Sequence, residues 1–319
     1  MRKRDHRQAA DMEYSKQQIE AMVSLLDDDD REVSSLVYER LAAMDRDVLP
    51  QLERIISEEA YETVQGQIGE VISEIRLQGQ AEAFESWAAT RSHDLFEGVF
   101  LLSRYRYPGL KRQELLNQID ELKLDAWLDF HNQLSSLEKI DILNHVFFDK
   151  YKIRGDNETY FSPSNSYLNT VLERRRGIPI SLSVLYSLVA QRLNMPVFGV
   201  NMPHHFILAY MDDSNQREKY KFQERNQLQN PGTGEVLFYI NPFEKGSVFT
   251  RANIDSFLSR SNITPKASHY QPCDNISIVL RMLRNLIFAY DRLQDRLRMQ
   301  ELRTLYQALE PYQPAQDFD

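Results

Sequence analysis

The stretch RRRGIPISLSVLYSLVAQRLNMPVFGVNMPHHFILAY, residues 174–210, decides the fold. Gly177 and Pro179 precede a run whose apolar residues recur at helical spacing. Proline suits the first turn of a helix because its missing N–H needs no partner there. An Asn-Met-Pro sequence predicts the end of this helix. Two short runs of β-branched and aromatic residues, 197–200 and 206–210, then predict strands that meet at a His-His corner.

The composition is typical of a soluble folded protein. The chain has 319 residues, of which 42% are hydrophobic and 27% charged, and this length allows two or three compact units. The net charge of −9 argues against general nucleic-acid binding, because phosphate backbones are bound by clustered Lys and Arg. No run approaches the ~20 apolar residues of a membrane span, and the N-terminal sequence lacks the apolar stretch of a secretory signal. Cys273 is the only cysteine, so we expect a cytoplasmic protein without an intrachain disulfide.

The N-terminal part of the chain is predicted to be all helical. Residues 1–14 are charged and aperiodic and predict a flexible tail. Three apolar stripes within 19–56, separated by short polar turns, resemble a HEAT-type helical pair. Further helices are predicted over 64–78, 81–89, 94–105, 115–131 and 136–150. We therefore expect a helical, HEAT-like domain over 15–135.

Two runs of like charge are interpreted as helix-end features. The acidic run 27–30 lacks the alternating ligands, central Gly and terminal Glu of a calcium loop. Carboxylates are favourable at a helix N-terminus, so this run predicts capping. The arginine triplet 174–176 ends a predicted short helix, where cations are favourable; an anion site is the alternative.

The composition changes at 153–167, a polar loop that precedes the central stretch. After that stretch, 211–234 is strongly polar and predicts a hairpin-like loop, 235–240 predicts a strand and 254–260 a small helix. Residues 276–309 carry two amphipathic runs and predict a pair of helices. The expected organisation beyond the helical domain is a core over 136–270, a helical pair over 271–312 and a tail over 313–319.

Three stretches stand out: LNHVFF (143–148), NSYLNTVLERRRGIPISLS (165–183) and PHHF (203–206). Together they resemble the bacterial Sir B family of transglutaminase-like proteins. The resemblance extends over most of the chain. It implies an α+β, mostly helical fold, with a transglutaminase-like (papain-like) core that contains a small antiparallel sheet and follows an all-α segment.

The resemblance also implies where catalytic groups would lie. In active members of the superfamily, a thiol at the N-terminus of the core helix is the nucleophile, a strand histidine is its base, and an Asp on the next strand orients the imidazole. In this sequence the nucleophile position falls on Pro179, or on Ser181 with a small shift in alignment. The histidine matches His205, and the Asp position falls on Asn241. Thiol chemistry of the family type is therefore excluded, since no cysteine is nearby.

These residues support two main hypotheses. The first is a non-catalytic protein that acts as a protein-binding or regulatory scaffold and keeps a degenerate catalytic cleft. The second is a hydrolase or acyltransferase in which Ser181 is the nucleophile, His205 the base and Asn241 the orienting group. A first-turn serine that is hydrogen-bonded locally is the structural alternative for Ser181. We expect the first hypothesis to hold, with another protein or a peptide as partner; a peptide- or ligand-binding groove that reuses the old site is a third possibility.

No cofactor or metal site is predicted. Neighbouring strand residues point to opposite faces, so His204 and His205 are not expected to bind one ion. A buried, hydrogen-bonded residue that holds the turn is the structural alternative for His205. Cys273 precedes the last helices, near the candidate N-cap Asp274, and is expected to be structural rather than reactive.

Overall fold

The computed structural model describes residues 14–131, 133–212 and 235–314. Internal contacts divide the chain into two compact units, and the division falls after Ala83. The sequence instead predicts a boundary after residue 135, between the helical domain and the core. The division by contacts falls inside a helix, where composition gives no signal.

Three sequence predictions concern segments outside the described residues. The first is the flexible N-terminal tail over 1–14, of which only residue 14 is described. The second is the C-terminal tail over 313–319, which is described only to residue 314. The third is the polar loop over 211–234, which is described only to residue 212. These three remain predictions.

The first unit is built of helices and short turns. Its helices are α1 (Lys16–Ser24), α2 (Arg31–Ala42), α3 (Leu49–Ile55) and the first part of α4 (Gln65–Thr90). The Ser15 hydroxyl accepts the Gln18 N–H at 3.3 Å, and the Asp30 carboxylate accepts the Glu32 N–H at 2.9 Å, so side chains cap both α1 and α2. The capping interpretation of the acidic run is confirmed.

One core joins the helices of this first unit. It contains buried apolar residues from each of them, among them Ile19, Val23, Leu41, Leu52, Ile68 and Val71. Apolar stripes at helical spacing therefore bury themselves against one another, as the sequence predicts. The assignment to a HEAT-type repeat stays a prediction.

Helix α4 corrects the prediction of two separate helices over 64–78 and 81–89. It is one helix of 26 residues, Gln65–Thr90. Gly79 lies inside it, and a single glycine within a helix costs only about 1 kcal/mol relative to alanine. No proline stands between the two predicted segments to stop the helix.

The second unit contains most of the helices and all of the strands described. Its helices are α5 (Leu95–Arg106), α6 (Arg112–Trp127), α7 (Ser136–Asn144), α8 (Leu168–Arg174), α9 (Pro179–Arg192), α10 (Arg251–Arg260), α11 (Asn275–Arg292) and α12 (Arg296–Leu309). Helix α7 continues into a π-helical turn, His145–Lys150. Helix α9 begins at Pro179, and α11 and α12 form the predicted C-terminal pair, so both predictions are confirmed.

The strands form two sheets. They are β1 (Arg154–Gly155), β2 (Arg176–Gly177), β3 (Val197–Asn201), β4 (Phe206–Met211), β5 (Val236–Asn241) and β6 (Ser247–Phe249). The larger sheet is antiparallel, in the order β3-β4-β5-β6, with Gly199 opposite Leu208 and Leu208 opposite Ile240. The smaller is a two-residue parallel pair in which Gly155 lies opposite Gly177. The small antiparallel sheet is confirmed, whereas β1, β2 and β6 carry too few residues to be predicted.

Both faces of the β3–β4 hairpin are covered. Helix α9 packs on β3 and β4. Alternate residues on the other face, including Phe198, Val200 and Ile207, share a core with Ile254 and Leu258 of α10. Because both faces are buried, these strands read as continuous apolar runs and not as an alternation. The architecture is therefore mostly helical and α+β, as predicted.

Within the described ranges, no helix combines the length and the apolar character that a membrane crossing needs.

Candidate functional site

The start of α9 is the point to which the sequence assigns the nucleophile. Ile178 is the N-cap residue and Pro179 the first helical residue. A Cβ atom placed on Gly177 would lie 2.6 Å from the Ser181 hydroxyl oxygen, so the chain needs glycine here to let that hydroxyl approach the backbone. Gly177 also belongs to β2, and its carbonyl accepts the Asp156 N–H at 2.9 Å. The helix start is therefore tied to the β1–β2 pair.

The hydroxyl of Ser181 is hydrogen-bonded inside the protein. Ser181 has no exposed surface. Its Oγ lies 2.6 Å from the carbonyl oxygen of Asn165, to which it donates, and 3.1 Å from the carbonyl oxygen of Ile178. It also accepts the N–H of Ile178 at 3.0 Å, which is the reciprocal half of a capping box. Ser181 thus closes the helix N-terminus onto the preceding loop.

A buried charged network lies beside this serine. Asp156 is fully buried. Its carboxylate accepts the N–H of Thr159 at 2.9 Å, the hydroxyl of Thr159 at 2.6 Å and the guanidinium Nη2 of Arg174 at 3.2 Å. Burial acts to raise the pKa of Asp156, but hydrogen bonds from Thr159 and Asn165 and the charge of Arg174 outweigh it and lower the pKa to about 2. Asp156 is therefore ionised over the physiological pH range.

Asn165 joins this network to Ser181. The Asn165 side chain accepts from Arg174 Nη1 at 2.9 Å and donates to the carbonyl of Thr159 at 2.7 Å, while its backbone carbonyl accepts from Ser181. Arg176 pairs with the exposed carboxylate of Glu158 at 2.9 Å. Arg174 and Arg176 thus bind carboxylates of this chain, which favours the structural interpretation of the arginine triplet.

His205 lies at the corner just before β4. Its ring meets the ring of Phe257 edge-on, with centroids 4.7 Å apart. Partial desolvation lowers the pKa of His205 below its usual range; the charges of Arg281 and His204 add to this, and the carboxylate of Glu244 opposes it. The imidazole is therefore mainly neutral at neutral pH, as a general base must be, although no nucleophile is hydrogen-bonded to it among the described residues.

Asn241 ends β5 and is occupied by its own turn. Its Oδ1 accepts the N–H of Phe243 at 3.2 Å and caps the short 3₁₀ helix Pro242–Glu244. The ring of Phe243 packs on Gly155, where an added Cβ would lie 2.6 Å from the ring. Asn241 thus fixes Phe243 against the β1–β2 pair.

The three predicted site residues therefore contact different neighbours: the Ser181 and Asn241 side chains are hydrogen-bonded to backbone groups, and the His205 ring packs on Phe257. Among the described residues, no hydrogen bond joins Ser181, His205 and Asn241 to one another. Their catalytic roles stay a prediction. Sequence reasoning missed Glu244, whose charge acts on His205. Its position three residues after Asn241, in the turn that closes β5, is the signal that would have drawn attention to it.

The stretch LNHVFF contributes a second buried link. Asn144 accepts the hydroxyl of Tyr186 on α9 at 2.9 Å and donates to the carbonyl of Gly246 at 3.1 Å. Tyr186 is fully buried. The Asn144 side-chain amide therefore links α7 to α9 and to the loop before β6.

Cys273 is placed away from the start of α9. Its thiol donates to the carbonyl of Gly199 at 3.3 Å, and Asp274 caps α11 by accepting the Ser277 N–H at 2.8 Å. Burial, reinforced by the charge of Asp274, raises the pKa of the Cys273 thiol to about 12. This thiol is protonated at neutral pH, which supports the structural interpretation.

The side chains present do not suggest a metal centre. Within 14–131, 133–212 and 235–314, no three His, Cys, Asp or Glu side chains are grouped as a metal site requires.

Helix α9 packs on the antiparallel β3–β4 hairpin, whose corner carries His205. The model of the transglutaminase-like superfamily matches residues 113–284, more than half of the chain. This protein belongs to that superfamily.

Similar proteins occur in bacteria and in mammals. A UPF0162 protein of Vibrio cholerae is 24% identical over 226 residues, which cover 69% of this chain and 76% of the relative. A UPF0162 protein of Xylella fastidiosa (strain 9a5c) is 36% identical over 203 residues, or 61% of this chain and 64% of the relative. F-box only protein 21 of mouse is 31% identical over 148 residues, or 46% of this chain but only 21% of the mouse protein. No solved structure matches the chain significantly.

Proposed function

We propose that this protein is a non-catalytic member of the transglutaminase-like superfamily that binds another protein or a peptide and acts as a scaffold or regulator. The observation that carries the proposal is the state of Ser181. Its oxygen donates to Asn165 and accepts from Ile178, and it has no exposed surface. A serine nucleophile must give its proton to a base and have an open path to substrate, whereas here the hydroxyl proton goes to the Asn165 carbonyl and the side chain is buried.

The proposal includes four finer assignments. The stretches 143–148, 165–183 and 203–206 support membership of the Sir B family, and the helices of the first unit support a HEAT-like segment with an extended binding surface. The single cysteine supports a cytoplasmic location. The match to only 21% of F-box only protein 21 supports the idea that this region serves as one module of longer chains.

The competing hypothesis is a hydrolase or acyltransferase that uses Ser181, His205 and Asn241. For it to operate, Ser181 must give up its bonds to Asn165 and Ile178, and Asn241 must release the N–H of Phe243. Each buried group left without a partner costs about 1–3 kcal/mol. The geometry therefore favours the scaffold over the enzyme.

A serine-directed covalent probe tests the absence of catalysis. The full-length protein is incubated with a fluorophosphonate and its intact mass is measured, alongside the variants His205→Ala and Ser183→Ala. We expect no added mass on any of the three. Addition at Ser181 that disappears in His205→Ala and persists in Ser183→Ala would establish a working serine–histidine pair and overturn the proposal.

The binding half of the proposal is tested separately. A phage library of random dodecapeptides is selected on the native full-length protein, with thermally unfolded protein as the matched control surface. We expect sequences that bind the native protein and not the unfolded one. Failure of any sequence to enrich on the native protein would count against a peptide-binding scaffold.

A further inference from the structure

Helix α11 carries three arginines on one face without acidic partners. Arg281, Arg284 and Arg292 have no carboxylate within salt-bridge distance anywhere in the described part of the chain. Their spacing, with Phe288 between the last two, is three, four and four residues, which aligns them along the helix. The whole chain has 47 acidic and 38 basic residues, so acidic groups are in excess. Arg284 and Arg292 are exposed and so are available for carboxylates from outside the chain, whereas Arg281 is half-buried and also donates to Asn201 and Met202.

Two exposed aromatic rings lie among these arginines. Phe288 is 50% exposed and Phe161 45% exposed, and their rings meet edge-on with centroids 5.5 Å apart. The guanidinium carbon of Arg292 lies 4.3 Å from the centroid of the Phe161 ring and 5.9 Å from that of Phe288. Stacking on the rings holds this guanidinium in place and removes part of its water, which lowers the cost of pairing it with a carboxylate.

The same surface continues towards Phe243 and the end of β3. The Tyr160 ring packs edge-on against Phe161 at 5.1 Å and against Phe243 at 6.2 Å. Arg281 donates to the carbonyl of Met202 at 2.6 Å and to the side chain of Asn201, next to the corner that carries His205. A ligand on this surface would therefore extend to the turn that precedes β4.

We propose that this α11 surface, formed by Tyr160, Phe161, Phe288, Arg281, Arg284 and Arg292, binds an acidic segment of a partner protein that carries an aromatic or large aliphatic side chain. The inference rests on the proposed function and specifies its ligand. Carboxylates of the segment pair with the arginines, whose planar guanidinium groups fit them in two-point hydrogen bonds. The apolar side chain packs on Phe161 and Phe288 and excludes water around those pairs.

An acidic protein segment fits this surface better than a nucleic acid. Aromatic rings and arginines also bind single-stranded nucleic acids, but those complexes need a positively charged groove that follows the backbone. Three arginines on a chain of net charge −9 give a small positive area and not a groove. A short acidic segment needs no more than this area.

The test uses the peptides selected on the native full-length protein and measures their affinity by fluorescence anisotropy. The variants are Phe288→Ala and the double charge reversal Arg284→Glu with Arg292→Glu. Matched controls on other exposed surfaces are Leu128→Ala, at 68% exposure directly after α6, and Arg260→Glu at the end of α10. All substituted side chains are exposed, and circular dichroism verifies that each variant is folded.

We expect the selected peptides to be net acidic and to contain Phe, Tyr, Trp or Leu. Each α11 variant should weaken their binding at least about tenfold, as is typical of hot-spot residues, and neither control variant more than about twofold. Neutral or basic peptides, or acidic peptides that bind the α11 variants as well as wild type, would overturn this inference and leave the scaffold proposal standing. Tighter binding of a fluorescein-labelled oligothymidylate than of the peptides would overturn it in favour of nucleic acid, and failure of any peptide to enrich would contradict both proposals.

Discussion

The polar groups at the start of α9 are buried and hydrogen-bonded within the chain, whereas those on the exposed face of α11 lie at the surface. At the start of α9, Ser181 and Asp156 are fully buried and hydrogen-bonded to neighbours in the same chain. On α11, Arg284 and Arg292 are exposed and contact aromatic rings without any acidic partner among the described residues. The polar groups at the start of α9 are therefore satisfied within the fold, whereas those on α11 are open to solvent.

Asp156→Ala, beside the start of α9, should cause the largest loss of unfolding free energy. Removal of a buried, paired carboxylate typically costs 3–5 kcal/mol, and because Arg174 is about one-third exposed and can turn to water we expect about 3 kcal/mol. Urea unfolding measures this loss. The matched control is Glu158→Ala in the same loop, whose exposed pair with Arg176 should contribute at most about 1 kcal/mol. Equal effects of the two substitutions would contradict a buried network at this position.

Acid should weaken the same network. Because the pKa of Asp156 is lowered from 3.8 to about 2 in the folded protein, its ionised form stabilises the fold at pH values above the unfolded pKa. This stability is lost as the pH falls from about 4 towards 2 and amounts to about 2.5 kcal/mol. Unfolding free energies of wild type and Asp156→Asn, measured between pH 7 and pH 2, should therefore approach each other as the pH falls below about 4. A constant difference between them would show that Asp156 titrates normally.

Ser181→Ala should be the next largest change. It leaves the carbonyl of Asn165 and the N–H of Ile178 without their partner, and we expect a loss of about 2 kcal/mol in unfolding free energy. Ser183→Ala is the control, because the Ser183 hydroxyl makes only a 3.5 Å contact to the carbonyl of Phe206. That variant should lose less than about 1 kcal/mol. A larger loss of unfolding free energy in Ser183→Ala than in Ser181→Ala would contradict the structural role of Ser181.

Phe288→Ala should have the smallest effect on stability. The ring is half exposed, and exposed substitutions usually change the unfolding free energy by about 0.5 kcal/mol or less. Thermal denaturation of this variant should therefore follow that of the wild-type protein within one or two degrees. A loss comparable to that of Ser181→Ala would show that the α11 surface serves the fold and is not free for a partner.

Local sequence patterns predicted the frame of the second unit well. Pro179 marks the start of α9, and the runs at 197–200 and 206–210 mark β3 and β4, because helix starts and apolar strands depend on adjacent residues. The acidic run 27–30 likewise predicts helix capping, which Asp30 provides. These features need no knowledge of the rest of the chain.

Local patterns cannot predict contacts between residues that are far apart in the sequence. Arg174 lies 18 residues from Asp156 and meets it only because β1 and β2 pair, and each of these strands is two residues long. Phe161 and Phe288 are much further apart in sequence, and their contact depends on how α11 packs. The sequence could therefore nominate Ser181 as a nucleophile, but the partners that occupy its hydroxyl became visible only in the structure.

The amide proton of Ile178 tests the structural role of Ser181 most directly, because it donates to the Ser181 oxygen at 3.0 Å. Its hydrogen-exchange rate is measured in wild type and in Ser181→Ala, with the Leu182 amide, which donates to the Ile178 carbonyl at 3.0 Å, as internal reference. We predict slow exchange in wild type and, relative to Leu182, a loss of protection of at least about tenfold in the variant, equivalent to about 1.4 kcal/mol. An Ile178 amide that exchanges rapidly in wild type, or at the same relative rate in both proteins, would contradict a Ser181 hydroxyl committed to the fold.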